Sequence, residues 1–594
     1  MYKFNPIYNK LPNGPSLAGK EVKYTVKVNN AINSTAMNLV YCPDFVDEKI
    51  VIPMELVDDG EDYKTYEAKH KFSTPGLFWY YFEVFQGDHK FYLQKTEDFE
   101  VEPTGEVWSK FQQLVVKSLS KTVDTFKGGV MYHIFVDRFN KVGKVKPRGD
   151  LILRDDWGGD LTKNTKDFLI LNKECFGGNL KGIEKKLPYL KSLNVSTIYL
   201  SPIFESSSYH KYNTADYEKI DSMLGTQEDF VSLIKKAKQE DIRIILDGVF
   251  NHTGADSKYF NKYGNYDTVG AYQSKNSPYY NWYDFQKYPE EYYTWWGFKS
   301  LPRIRDESSS FAKYIAGKGG IIEKYMKMGI LGFRLDVVDE LDEKTLNAIC
   351  KSARNIKPNC LIVGEVWEDA SNKIAYDQRK KYFNGNQLDS VMNYPLKEAI
   401  IHYVATGDAR NLRNTIYTIK DHYPKEISDN LMNILGTHDT ERIATVLDRC
   451  AKINGAKDYV KLLKLASLLQ YTVMGVPCVF YGDEQGVFGG TAPFCRVCFP
   501  WNKENKTIKN WYELLGRLRN HLAFKHGELN VLTTEDELFG FERVARNRKV
   551  VIYTNASNTT KTIELDGVYT NYETAKQVKG KIKILPYKYL ILTK

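Results

Sequence analysis

Carboxylates, histidines and one arginine gather in four short segments, at the points where apolar, strand-like runs end. The segments contribute Asp247, Asn251 and His252 in IILDGVFNHTG, Arg334 and Asp336 in GFRLDVVDE, Glu365 and Trp367 in LIVGEVWE, and His438 and Asp439 in NILGTHDTER. An ionised carboxylate that faces a protonated carboxyl group is the equipment of enzymes that cleave glycosidic bonds with retention of configuration. A single Asp or Glu at a strand end is usually a salt bridge or a loop cap, but this many polar groups at equivalent positions favour a catalytic site.

Spacing indicates which carboxyl group plays which part. Arg334 and Asp336 are two residues apart on a strand, so their side chains point to the same side. The guanidinium then favours the ionised form of Asp336. That suits a nucleophile and leaves Glu365 to hold the proton as general acid and base. We expect Asp439, the third carboxylate, to stabilise the distorted sugar through its hydroxyl groups.

From Met131 onward, short apolar strands alternate with amphipathic helices, which is the signature of a parallel sheet in an α/β fold. Thr226 and Asp229 resemble a capping box, which predicts that one of the helices begins there. The predicted strands are Met131–Phe139, Thr197–Ile203, Arg243–Val249, Gly332–Val337, Leu361–Trp367, Ser390–Tyr394, Asn433–Asp439 and Cys478–Glu484. These units span roughly 380 residues and favour a (β/α)8 TIM barrel, in which reacting groups lie at the C-terminal ends of the strands.

β-rich sequence flanks the barrel on both sides. Residues 1–104 contain runs such as Val22–Val28 and Leu77–Phe85 between turn residues, which predicts an N-terminal β-sandwich of carbohydrate-binding type. The barrel then occupies residues 105–524, with an inserted small domain at 255–305 after the third strand. Residues 525–594 predict a C-terminal β-sandwich, with strands Phe539–Val544, Lys549–Tyr553, Thr562–Leu565 and Ile582–Leu592.

One segment of the insertion is very rich in aromatic residues. Between Tyr279 and Phe298 the sequence YYNWYDFQKYPEEYYTWWGF has eleven aromatic residues in twenty, with a period that fits neither helix nor strand. Two interpretations stay open at this point. The segment is either a small subdomain held by its own aromatic cluster, or a wall that faces a ligand, since aromatic faces also stack on sugar rings.

Composition argues against two other classes of protein. The formal net charge is +9, from 83 basic and 74 acidic side chains, without the Lys/Arg block of a nucleic-acid arm. The longest apolar stretch, Leu465–Tyr481, is broken by Gln470, Gly475 and Pro477, which predicts a helix and then a buried strand. We therefore expect neither a nucleic-acid nor a membrane partner.

The N-terminal residues lack the apolar core and the cleavage pattern of a signal peptide, so we expect a cytoplasmic protein whose eight cysteines are thiols. Cys495 and Cys498 have the spacing of half a metal site. Because no second pair follows at zinc-ribbon spacing, two packed thiols in a loop are favoured.

The four segments resemble the signature regions of the α-amylase superfamily, glycoside hydrolase family thirteen, in the right order across the whole barrel. Three further stretches agree with that resemblance: Tyr209–Tyr217 (YHKYNTADY), Phe176–Gly182 (FGGNLKG) and Tyr481–Glu484 (YGDE).

The resemblance implies a role for each site residue. Asp336 is the nucleophile, Glu365 the general acid and base, and Asp439 the stabiliser of the transition state. The residues that contact the sugar before the cut bond are His210, Tyr212, His252, Arg334 and His438, with Tyr212 stacking and with Asp247 and Asn251 in support.

Within the superfamily the chain is most similar to the neopullulanase, cyclomaltodextrinase and maltogenic amylase group. Leu301–Arg305 (LPRIR) resembles the Met-Pro-Lys-Leu-Asn segment of that group, and Glu365-Val-Trp367 resembles its Glu-x-Trp, in which the tryptophan lies beyond the cut bond. The group also carries an N-terminal β domain, which implies a homodimer in which this domain covers the partner's active-site mouth.

One position departs from the secreted α-amylases. Four residues after Asp336, where those enzymes have a histidine associated with calcium, this sequence has Glu340. We therefore expect no required cofactor, and a calcium ion stays open without support from the residues.

The expected activity is retaining hydrolysis of α-1,4-glucosidic bonds in malto-oligosaccharides, cyclodextrins, pullulan or starch-derived dextrins by double displacement. Cleavage of α-1,6 bonds stays open. Two alternatives remain. A transglycosylase would use the same covalent intermediate with a sugar hydroxyl as acceptor, and a non-catalytic carbohydrate-binding barrel would be expected to lack at least one of the three carboxylates.

Overall fold

The computed structural model describes residues 1–119, 123, 126–161, 173–535 and 537–594, which fall into two compact units. One unit comprises Met1–Thr122, Glu368–Asp389 and Asp408–Asp429, and the other comprises Val123–Trp367, Ser390–Gly407 and Asn430–Lys594. Each unit combines segments that are far apart in the sequence, so the domain limits 1–104, 105–524 and 525–594 stay predictions.

A parallel eight-stranded sheet forms the centre of the larger unit, as predicted. Its strands are β1 (Met131–Ile134), β2 (Thr197–Leu200), β3 (Arg243–Gly248), β4 (Gly332–Leu335), β5 (Leu361–Gly364), β6 (Ser390–Val391), β7 (Met432–Asn433) and β8 (Val476–Phe480). Neighbouring strands pair from β1 to β6, β7 pairs with β8, and β1 pairs with β8, so β6 and β7 are the two ends of the row. A parallel bridge between Met392 and Met432 joins the ends of the row, so the sheet closes into a barrel.

Helices alternate with these strands. The helix Gln227–Gln239 begins at the capping box of Thr226 and Asp229 and buries an apolar stripe that includes Phe230 and Leu233. Among the described residues of this unit, the other helices are Val136–Phe139, Leu180–Lys185, Leu187–Ser192, Ser309–Ala316, Ile321–Met328, Glu343–Ile356, Tyr394–Thr406, Ile443–Asn454, Tyr459–Thr472, Lys506–Leu518 and Leu522–His526.

The apolar stretch Leu465–Tyr481 divides as predicted, into the helix Tyr459–Thr472 and the buried strand β8. Within the described part of the chain, no helix has the length and the apolar character needed to cross a bilayer.

The insertion after β3 is held by its own aromatic cluster, which confirms one of the two interpretations of that segment. Short strands at Phe285–Lys287 and Glu291–Tyr292 pair with each other. Phe260 packs between them, with its ring centroid 4.7 Å from that of Tyr292 and 5.9 Å from that of Phe285.

The C-terminal strands hydrogen-bond in one antiparallel sheet. They are Glu528–Thr533, Leu538–Ala545, Arg548–Asn555, Lys561–Asn571, Gln577–Ile584 and Tyr589–Thr593. The prediction of a single strand over Ile582–Leu592 was wrong, because the chain turns at Leu585–Lys588 and two separate strands result.

The smaller unit contains the N-terminal β-sandwich. One sheet has strands Tyr2–Lys3, Lys10–Leu11, Glu21–Asn29, Glu55–Asp59 and Tyr63–Lys71; the other has Ser16–Leu17, Ala36–Pro43, Ile50–Pro53, Gly76–Gln86, His89–Lys95, Val101–Thr104 and Phe111–Val116. Their inner faces share an aromatic core, in which the rings of Tyr24 and Tyr80 lie 5.1 Å apart. The helices of this unit are Pro6–Asn9, Ala409–His422 and Lys425–Ser428.

Candidate active site

Asp336 and Glu365 each lie one residue beyond the end of a barrel strand, β4 and β5 respectively. The parallel pairing continues past the strands, because the Asp336 backbone N–H donates to Gly248 O (3.1 Å) and the Glu365 N–H donates to Leu335 O (3.1 Å). Both carboxyl groups are thereby fixed at the C-terminal end of the barrel, where the sequence placed them.

Arg334 joins three carboxyl groups. Its Nη1 lies 2.9 Å from Asp247 Oδ1 and 2.7 Å from Asp336 Oδ1, and its Nη2 lies 2.8 Å from Glu365 Oε2. Asp247 and Arg334 are paired in register across β3 and β4, so their side chains point to the same side. Asp336 and Glu365 therefore both lie in ion-pair contact with the same guanidinium.

The ionisation of this cluster differs from the expectation that Arg334 alone decides it. Burial raises the pKa of Asp336 well above its usual value, and the nearby charges of Glu365 and Asp247 raise it further, against the opposing effect of Arg334. Burial also raises the pKa of Asp247. One positive charge faces three carboxyl groups away from water, so the cluster retains a proton at pH values at which isolated carboxyl groups have lost theirs.

Glu365 is held from both sides. Its Oε2 accepts from the backbone N–H of Val337 (2.9 Å) and its Oε1 accepts from Trp367 Nε1 (3.2 Å). Val337 adopts φ 38° and ψ 51°, a left-handed conformation that is strained for a β-branched residue. The Trp367 indole, 47 % exposed, stacks on Tyr394 with ring centroids 3.9 Å apart.

The predicted sugar-contacting residues come together beside this cluster. The Tyr212 hydroxyl donates to Asp247 Oδ2 (2.8 Å), and its ring lies parallel to that of His438, with centroids 5.1 Å apart. His252 Nε2 lies 3.1 Å from Tyr212 O, and the ring of His210 stacks loosely against Tyr212 at 6.1 Å.

The three histidines are neutral at physiological pH. Burial lowers the pKa of His210 to about 3 and that of His252 to about 4, and it lowers the pKa of His438 well below the usual value. Neutral imidazoles can both donate to and accept from sugar hydroxyl groups without adding charge to the site.

Asp439 has a partner that the sequence did not reveal. Arg496 Nη2 lies 3.2 Å from Asp439 Oδ1, while its Nε donates to His438 O (2.8 Å) and its Nη1 to Tyr209 OH (2.9 Å). His438 Nε2 lies 3.1 Å from the other oxygen of Asp439. Arg496 lies inside the Cys495-x-x-Cys498 motif, whose cysteines are buried thiols. In the sequence, that motif is the feature that could have drawn attention to Arg496.

Glu340 and Asn251, the two residues that bear on the calcium question, contact each other. Asn251 Nδ2 donates to Glu340 Oε2 (3.1 Å), and Trp296 Nε1 donates to Glu340 Oε1 (2.8 Å). Across residues 1–119, 123, 126–161, 173–535 and 537–594, no group of three or more His, Cys, Asp or Glu side chains is arranged to hold a metal ion.

Comparison with known proteins gives a consistent picture. The alpha amylase catalytic-domain family model matches residues 133–525. The chain is 30 % identical to a cyclomaltodextrinase of Thermoanaerobacter pseudethanolicus, over 92 % of this chain and 89 % of that protein. It is 34 % identical to an amylopullulanase of Thermoanaerobacterium saccharolyticum over 93 % of this chain, but it spans only 48 % of the length of that relative.

Solved structures share the fold. The type III pullulan hydrolase from Thermococcus kodakarensis aligns over 100 % of both chains with a TM-score of 0.70 at 24 % identity. The debranching enzyme from Nostoc punctiforme covers 80 % of this chain and 100 % of its own, with a TM-score of 0.65 at 28 % identity.

Proposed function

This chain belongs to the α-amylase family, and from that premise we propose that it is a retaining glycoside hydrolase of α-1,4-glucosidic bonds in malto-oligosaccharides and related glucans. One observation supports the proposal most strongly. The guanidinium of Arg334 forms ion pairs with both Asp336 and Glu365, which follow adjacent strands at their C-terminal ends. Retaining chemistry requires two carboxyl groups about 5–5.5 Å apart, close enough that no water fits between the nucleophile and the anomeric carbon.

Asp336 and Glu365 divide the reaction between them. An Asp336 oxygen attacks the anomeric carbon and forms a glycosyl ester, while Glu365 gives its proton to the departing sugar oxygen. Glu365 then takes a proton from the water that cleaves the ester. To reach the glycosidic oxygen, Glu365 has to give up its contact with Trp367 or with Val337.

The remaining residues bind and orient the sugar. Tyr212 offers its ring face for stacking, and His210, His252, His438 and Arg334 bind the hydroxyl groups of the sugar before the cut bond. Asp439, held by its contact with Arg496, stabilises the transition state through sugar hydroxyl groups. Trp367 lies beyond the cut bond, and Asp247 keeps Arg334 and Tyr212 in place.

Relatives named cyclomaltodextrinase and neopullulanase support a substrate range that includes cyclodextrins and pullulan, and with it some α-1,6 cleavage. Incubation with maltoheptaose, β-cyclodextrin and pullulan, with product analysis by chromatography, tests this directly. The D336N variant is the control, and a folded wild type that releases no glucan fragments from any of the three substrates would contradict the proposal.

A transglycosylase is the second candidate. The ring of Trp367, which is fixed by stacking on Tyr394, offers the same surface to an incoming acceptor sugar as to the departing sugar. Products longer than the maltoheptaose supplied would identify that activity. A non-catalytic barrel is disfavoured, since all three carboxylates are present and share the same end of the barrel.

Three wider expectations stay predictions: the cytoplasmic location, the absence of a required cofactor, and the homodimer through the N-terminal domain. Light scattering tests the dimer, and a single species of 68.6 kDa at working concentrations would remove it.

A further inference from the structure

Trp296 stands apart from the other aromatic residues of the insertion. Phe260 and Tyr292 are buried, whereas Trp296 is 76 % exposed. It also adopts φ 49° and ψ 33°, the left-handed conformation that side chains other than those of glycine and asparagine seldom take. A strained residue persists only where its surroundings hold it, and such residues cluster at binding and catalytic sites.

The loop that carries Trp296 is tied to the third strand of the barrel. Trp295 N–H donates to Leu301 O (2.9 Å), which closes the loop at its base. The following segment is bound to the end of β3, because Thr253 N–H donates to Pro302 O (3.1 Å) and Ile304 N–H donates to Asn251 O (2.8 Å). The position of Trp296 is therefore set by the segment that also positions His252.

Side-chain contacts fix the same loop to the site. The Trp296 indole N–H donates to Glu340 Oε1 (2.8 Å), and Glu340 Oε2 accepts from Asn251 Nδ2 (3.1 Å). The neighbouring ring of Trp295 lies 5.4 Å from that of His252. Glu340 follows Asp336 by four residues, so one carboxylate connects the exposed indole to the segment of the nucleophile.

An exposed, rigidly held indole has a specific use in a protein that binds glucans. A flat aromatic face packs against the apolar face of a pyranose ring, and a ring that is already fixed loses little conformational entropy when the sugar binds. The loop also exposes Phe298 to 55 %, which widens its apolar surface. The aromatic segment thus has two parts, one that forms a core and one that exposes Trp296 and Phe298.

We propose that Trp296, anchored by Glu340, is a stacking platform for a glucosyl unit of the substrate other than the one at the cut bond. The inference rests on the proposed function, which supplies the glucan. Trp296 is tied to the site by its contact with Glu340, four residues after Asp336. The platform therefore binds a sugar unit away from the cut bond, which favours longer chains, and it takes no part in bond cleavage.

Binding of maltoheptaose tests the platform independently of turnover. Isothermal titration calorimetry is carried out on the full chain in a D336N background, so that the sugar is not consumed. W296A should weaken maltoheptaose binding about tenfold, the effect of losing roughly one aromatic stacking contact. W108A is the matched control, since Trp108 is 78 % exposed in the N-terminal sandwich.

Two further variants separate the ring from its anchor. W296F keeps a ring but loses the N–H, and E340A keeps the indole but removes its acceptor, so both should weaken binding less than W296A. In the active enzyme, the ratio of kcat/KM for maltoheptaose to that for α-glucosyl fluoride should fall about tenfold in W296A and stay unchanged in W108A.

An equal Kd for W296A and its parent would overturn the platform, and so would an equal loss in W296A and W108A or an unchanged kcat/KM ratio. A wild type without turnover of any glucan would instead contradict the proposed hydrolase. The calorimetric comparison would still decide whether Trp296 binds the sugar.

Discussion

Replacing Arg334 by methionine tests whether this guanidinium is the charge that holds the carboxyl cluster together. Its side chain is completely buried and contacts Asp247, Asp336 and Glu365. Methionine fills much of the same volume without a charge, so the variant isolates the electrostatic contribution. R334M leaves three carboxyl groups in one buried place without a cation.

The loss of stability in R334M can be estimated from the burial of the ion pairs that Arg334 makes. Breaking a buried ion pair by removing one partner costs about 3–5 kcal/mol of the free energy of unfolding, because the remaining charge stays desolvated. The variant limits this cost by protonating its carboxyl groups, and each proton taken up changes the free energy by about 1.4 kcal/mol per pH unit. The loss should therefore depend on pH.

The direction of that dependence follows from the pKa shifts. Burial raises the pKa of Asp336 and of Asp247 in the folded chain, while Arg334 lowers both. Folding then loses stability as the pH rises above the ordinary value of the carboxyl groups, near 4, towards their raised values. Without Arg334 the pKa values of Asp336 and Asp247 rise further. The loss of stability of R334M relative to wild type should therefore be larger at pH 8 than at pH 5.

Melting temperatures by differential scanning calorimetry at both pH values measure this deficit. R449M is the control, because Arg449 pairs with Glu441 on the surface (2.6 Å) and such pairs contribute less than about 1 kcal/mol. A deficit for R334M no larger than that of R449M, or one that is the same at pH 5 and pH 8, would refute the electrostatic account of the cluster.

Three other perturbations test neighbouring parts of the molecule. R496A should lower kcat about 10- to 100-fold with little change in KM, because Asp439 loses its anchor; R496K should recover part of the loss, and an unchanged kcat would contradict the assigned role. Burial raises the pKa of Glu484 to about 7, so the free energy of unfolding of wild type should fall relative to that of E484Q as the pH rises from 5 to 9, by up to roughly 3 kcal/mol. A difference between the two proteins that does not vary with pH would contradict this. EDTA should change neither activity nor melting temperature, and a melting temperature that falls in EDTA and recovers with calcium would show that a calcium site was missed.

The barrel could be predicted because its strands are short, apolar and regularly spaced between helices. All eight predicted strands exist, but each was predicted too long at its C-terminal end. At β4 the apolar Val337 continues the pattern of the strand, yet the chain turns there into a left-handed conformation. Apolar residues at the mouth pack under the site, so hydrophobicity alone does not reveal where pairing stops.

The composition of the site could be predicted, but its charge balance could not. The spacing of Arg334 and Asp336 correctly placed them in contact. It did not show that Asp247 and Glu365 contact the same guanidinium, nor that burial, together with the charges of these two groups, raises the pKa of Asp336. Arg496 was missed for a related reason, since it lies 57 residues from Asp439 and only the folded barrel brings them together.

The anomeric configuration of freshly released product tests the central claim most directly. Proton NMR of the first products from maltoheptaose separates α and β anomers before mutarotation mixes them. Double displacement through an Asp336 ester predicts that the α anomer appears first and that D336N loses several powers of ten in kcat. A β anomer that appears first would contradict Asp336 as the nucleophile and, with it, the retaining mechanism.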